Sequence, residues 1–109
     1  MAKIEWELNR DFNELLIQIE KGIVNGSSTA SLEDFSDYMD GDARCSVRVF
    51  ERYSTTGGNR VSLNVTLFQK GNGPVRISAI TSGGSQAVLF KVNTLGETAF
   101  LDRLRQILD

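Results

Sequence analysis

A chain of 109 residues with 40% hydrophobic and 24% charged side chains has the size and composition of one globular domain and leaves no room for a second independent core. Its formal net charge of −2 and pI near 5.1 speak against a nucleic-acid partner, whose phosphates demand a basic surface. Histidine is absent and Cys45 is the one cysteine. That removes serine–histidine and cysteine–histidine nucleophiles, histidine and thiolate metal sites, and any internal disulfide.

In chain order, residues 3–8 alternate, with Ile4, Trp6 and Leu8 on one side and Lys3, Glu5 and Glu7 on the other, the period of a half-buried strand. These opening residues are too charged for a signal peptide. From Phe12 the spacing turns helical through Leu15, Leu16, Ile19 and Ile23. Asp11 with Glu14 forms a capping box, and Asn25-Gly26 is a stop signal. The polar stretch 26–29 reads as a loop.

Residues 30–39 admit two readings. Ser31 and Asp34, with Leu32, Phe35 and Met39, are compatible with a short helix. A strand is preferred, because Asp40-Gly41 is a hairpin signal that would set Asp37 opposite Arg44 and Glu33 opposite Arg48.

Three further strands are expected over 43–53, 60–70 and 75–81, with apolar residues at odd positions throughout. Odd residues can face odd residues across neighbouring strands only through odd-length loops, which Thr56-Gly57-Gly58 and Gly71-Asn72-Gly73 supply. Gly83-Gly84 then predicts a two-residue hairpin into a strand over 85–92 whose inner residues are Val88, Phe90 and Val92. Thr94 with Glu97 caps a last helix striped by Phe100, Leu101, Leu104, Ile107 and Leu108. The expected fold is therefore α+β, in the order β-α-β-β-β-β-β-α: an antiparallel meander with two helices packed on one face, helix-grip-like in outline.

Several features invite chemistry. Glu33, Asp34, Asp37, Asp40 and Asp42 faintly suggest a calcium loop but lack its twelve-residue pattern and closing glutamate; a solvated strand edge accounts for them. Thr81–Gln86 is glycine-rich without the lysine of a phosphate loop, and a hairpin turn explains it. Asn64-Val65-Thr66 matches the glycosylation sequon by chance, mid-strand. Arg44, Arg48 and Arg52 alternate on one strand face with Phe50, a pattern used for nucleic-acid stacking; the acids expected opposite them and the acidic chain argue otherwise. Phe50, Phe68, Ile80 and Leu89 would then form an exposed outer face suited to a protein contact, such as a dimer interface.

The same alternation sets Asp34, Glu51 and Tyr53 on the inner face, among Val47, Val49 and Leu63. Buried carboxylates need a partner, a rim position or a cavity, so these three are candidate ligand-binding residues.

The segments Glu51-Arg52-Tyr53, Gly57–Leu63, Ile80–Ser85 and Phe90-Lys91-Val92-Asn93 resemble, with most of the chain, a family of short uncharacterised proteins from Gram-positive bacteria. The resemblance implies a bacterial cytosolic protein and lends no residue a role. A lone cysteine fits the same reducing compartment, and no apolar run approaches the ~20 residues that span a bilayer. The expectations are thus a cytoplasmic protein that is not an enzyme and carries no cofactor or metal, with neither nucleic acid nor membrane as partner. Two functions fit them: a small binding module with a pocket between helices and sheet, or a homodimeric interaction domain that uses its outer sheet face. A carboxylate-based enzyme is a distant third.

Overall fold

The computed structural model describes residues 1–54, 59–83 and 100–108. Its elements are β1 (Ala2–Leu8), α1 (Phe12–Asn25), β2 (Ser31–Asp40), β3 (Ala43–Ser54), β4 (Asn59–Lys70) and β5 (Val75–Gly83), followed by helix α2 over 100–108. The strands form a five-stranded antiparallel sheet in the order β1-β5-β4-β3-β2, and both helices pack on one side of it.

β1 and β2 are consecutive strands on opposite edges of the sheet, so α1 must carry the chain across the full width. Its 14 residues give about 21 Å at ~1.5 Å per residue. Five strands at about 4.8 Å spacing are ~19 Å wide, and the lengths match. The helix begins where the capping signal lies: the Asp11 carboxylate accepts from the Glu14 backbone N–H at 3.0 Å. It ends at Gly26, whose N–H donates to the Ile23 carbonyl.

The core lies between helices and sheet. Leu15, Ile19 and Ile23 of α1 meet Val61, Leu63, Val65 and Leu67 of β4, with Val75, Ile77 and Ala79 of β5. Phe100, Leu101, Leu104 and Leu108 of α2 complete it. The helices approach closely at Gly22, where a Cβ would stand 2.6 Å from Ile107 Cγ1. Gln18 Nε2 donates to the Ile107 carbonyl at 2.6 Å, and Arg103 Nε to the Gly22 carbonyl at 3.2 Å.

The turn between β4 and β5 sets the expected register. Val65 faces Ala79, Leu67 faces Ile77, and Gly71 takes the positive φ of 58° that favours glycine. Two other expectations change. β3 and β4 pair from Ser54↔Asn59, so four positions separate them instead of three. That single residue inverts β3: Ser46, Arg48 and Phe50 are buried on the helix side, and Ala43, Cys45, Val47 and Val49 turn outward. β2 inverts with it. Its hairpin closes at Asp40↔Ala43 with Gly41 at φ 59°, one pair later than Asp40-Gly41 alone implies. Asp37 therefore faces Ser46 instead of Arg44, and Phe35 faces Arg48 in place of Glu33, which falls at a bulge between Leu32 and Asp34.

The strand expected over 85–92 lies outside the described residues. The edge of β5 that it was to take is held by β1, from Ala2↔Thr81 to Leu8↔Val75. Gly83 is the last residue of β5, paired with Val61.

Candidate functional site

The inverted register of β3 brings its arginines under the helices. Arg44 lies over the Phe12 ring, 3.8 Å from the centroid, and donates to Asn13 Oδ1 at 2.8 Å. Arg52 lies over Phe100 at 4.7 Å, and burial lowers its pKa. Between them Arg48, 6% exposed, donates through Nε to Glu20 Oε1 at 2.6 Å and through Nη1 to Asp37 Oδ1 at 2.9 Å. Burial works against its charge, but the hydrogen bonds to Glu20 and Asp37 outweigh that and raise its pKa. Ser46 first and Arg48 second, each hydrogen-bonding the Asp37 carboxylate, hold that group below the usual range. The network therefore ties α1, β2 and β3 together, and its arginines are engaged by carboxylates, amides and rings.

Phe50, expected on the outer face, is fully buried in the core. Glu51 and Tyr53, expected inside, lie on the side of the sheet away from the helices. Glu51 accepts from Arg60 Nη1 at 2.6 Å, and the Arg60 guanidinium sits 5.2 Å from the Tyr53 ring centroid. With Thr29 and Ser31 they surround a crevice of about 20 Å³, enough for a water molecule. Asp34, the third ligand candidate, stands apart at Asp34↔Val49, exposed, with its carboxylate accepting from the Phe35 N–H at 2.8 Å. The structure thus brings Glu51 and Tyr53 together and leaves Asp34 outside their group.

The outer face carries Phe68 and Ile80, 41% and 38% exposed, as expected; Leu89 lies outside the described residues. Cys45 stands opposite Phe68, and Asn64 separates Val49 from Ile80 on one rung. Next to this apolar band Glu5, Glu7, Thr66, Phe68, Arg76 and Ser78 line an open trough of about 390 Å³. Arg76 donates to Glu7 at 3.0 Å and Lys3 pairs with Glu5 at 3.0 Å, so the charges on that margin cancel.

Sequence reasoning passed over the apolar residues of β2. Phe35, Tyr38 and Met39 are 59%, 65% and 77% exposed, on a strand whose every residue is exposed. Three large apolar residues on one strand are the signal; in the sequence Phe35 and Met39 count only toward the short-helix alternative, and Tyr38 toward neither reading.

No helix among the described residues is long and apolar enough to cross a membrane. No curated protein matches the chain. Among solved structures, a hypothetical protein from Sulfolobus tokodaii is similar at 14% identity with a TM-score of 0.41, covering 100% of this chain and 91% of that chain. The model of a family of unknown function, DUF6054, matches residues 1–109, and the chain belongs to that family.

Proposed function

We propose that the protein is a non-catalytic interaction module of the cytoplasm of Gram-positive bacteria, and that it forms a homodimer through the sheet face away from its helices. The observation that carries this reading is the outer apolar band. Phe68 and Ile80 are exposed, with Cys45, Val47 and Val49 half-buried beside them. Large apolar residues grouped on one face of a sheet favour a protein contact over free solvent.

A pocket between helices and sheet has less support, because that space holds Leu15, Ile19, Ile23, Leu63 and Leu104, all fully buried. A nucleic-acid partner also has little support, since Arg44 and Arg48 are taken up by Asn13, Glu20 and Asp37. Charge favours one arrangement of two copies. The β2 margin is acidic through Asp34 and Asp40, whereas the β1 margin is neutral through its own ion pairs. A two-fold axis parallel to the strands lays the acidic margin of each copy over the neutral margin of the other; an axis across the strands would stack acid on acid.

Sedimentation of the wild type against Phe68→Ser/Ile80→Ser, at about 50 µM, tests the reading. The wild type should sediment at twice the 12.1 kDa chain mass, and the double variant as a folded monomer. A wild-type monomer at that concentration overturns it.

A further inference from the structure

β2 ends the sheet, and among the described residues no strand pairs with its far side. A strand of ten exposed residues leaves its outward N–H and C=O groups available, and such edges recruit another strand unless they are blunted. Here the blunting is confined to one end. The bulge lies between Leu32 and Asp34, and the Asp34 carboxylate occupies the Phe35 N–H. From Ser36 to Asp40 the ladder with β3 is regular.

The side chains along this edge are not mixed in charge. Ser31–Asp40 holds Glu33, Asp34, Asp37 and Asp40 and no lysine or arginine. Asp37 is occupied by Arg48, and no ion pair among the described residues engages Asp34 or Asp40. Strand alternation sorts the rest. Asp34 and Asp40 lie on the outer side with Val49 and Ala43, while Phe35 and Met39 lie on the helix side opposite Arg48 and Arg44. A second copy of β2 is a poor occupant, since antiparallel self-pairing centred on Asp37 sets Asp34 against Asp40.

We infer that the β2 edge binds an extended partner segment in which basic residues alternate with apolar ones. Its lysines or arginines lie beside Asp34 and Asp40 on the outer side. Its apolar residues lie beside Phe35 and Met39 on the helix side, and its backbone extends the sheet. This edge adjoins the outer apolar band at Val49, but its backbone pairing does not depend on self-association.

The probe is an acetylated heptapeptide of alternating lysine and valine, titrated into the full chain by NMR. Expected are shifts across Ser36–Asp40 and new protection at those of its amides that point away from β3. Affinity should fall about tenfold for a block peptide of the same composition, and as much for a version N-methylated on the pairing side. It should fall about fivefold for Asp34→Asn/Asp40→Asn, two exposed changes that leave the core untouched, and stay unchanged in Phe68→Ser. Three results would overturn the inference: equal binding of the N-methylated peptide, loss of binding in Phe68→Ser, or slow exchange, before peptide is added, of those amides in Ser36–Asp40 that point away from β3, which would mean the edge is already paired.

Discussion

Arg48 is a charge held inside by its neighbours. Removing it takes away a stem packed beneath α1 and leaves Glu20 and Asp37 facing each other without a cation. Breaking a buried pair usually costs ~3–5 kcal/mol. Both carboxylates reach water, with 33% and 50% of their side-chain surface exposed, so the cost of Arg48→Ala should be nearer about 2 kcal/mol. Arg48→Lys should recover only part of it, because one ammonium cannot hold two carboxylates as a planar guanidinium does. Urea unfolding of the two variants measures the difference. The same contact predicts a pH dependence. Asp37 has a folded pKa below its unfolded one, so its contribution is fully present above the ordinary carboxylate range and is lost as pH falls through the folded value. Between about pH 5 and 3 the urea midpoint of the wild type should fall more steeply than that of Asp37→Asn. Equal slopes would show that Ser46 and Arg48 do not favour the ionised form.

At the scale of elements, the α1–α2 crossing turns on Gly22. Glycine inside a helix ordinarily costs ~1 kcal/mol against alanine, so Gly22→Ala would stabilise a free-standing α1. Here the new methyl would meet Ile107 Cγ1 at 2.6 Å and Cγ2 at 3.2 Å, and the change should destabilise by about 1–2 kcal/mol. In an Ile107→Ala background the sign should reverse, a coupling that a double-mutant cycle reads directly. The elements themselves were legible in the sequence wherever one signal dominated: the capping box at Asp11, the alternation of β1, the three-residue turn at Gly71–Gly73. The faces of β2 and β3 were not. Ser54 and Asn59 are weak strand formers, so a ladder judged from propensity stops short of them, and one residue in that count inverts the strand. Odd positions of β3 offer Val47 and Val49, even ones three arginines, and hydrophobicity alone chooses the odd set. The fold takes the even set, which buries Phe50 in the core and gives each arginine a ring or carboxylate on a neighbouring element, information that lies outside the strand. Of the candidate site, Phe68 and Ile80 were legible, since the register of β4 and β5 was; Glu51, Tyr53 and Asp34 followed β3 and β2 to the opposite face.

For the whole molecule the sheet divides its work between its two sides. The helix side supplies the buried apolar surface, and the outer side supplies residues that the described chain leaves half open. Stability and association should therefore separate by face. Phe50 is fully buried, and replacing it by alanine should cost ~3–5 kcal/mol through lost transfer energy and the cavity left behind. Phe68 is 41% exposed, so Phe68→Ala has only part of that burial to lose and should cost about 1–2 kcal/mol in the monomer. For association the order reverses. A variant with Phe50 replaced, kept at a temperature where it remains folded, presents an unchanged outer face and should assemble as the wild type does. The Phe68 variant should lose less of its urea midpoint than the Phe50 variant when unfolding is measured at a concentration low enough to hold the wild type monomeric, yet fail to assemble when concentrated. Paired urea and sedimentation measurements on these two single variants check the division. If Phe68→Ala proved as destabilising to the monomer as Phe50→Ala, the outer face would be part of the fold's own core, and a second copy would have nothing there to cover.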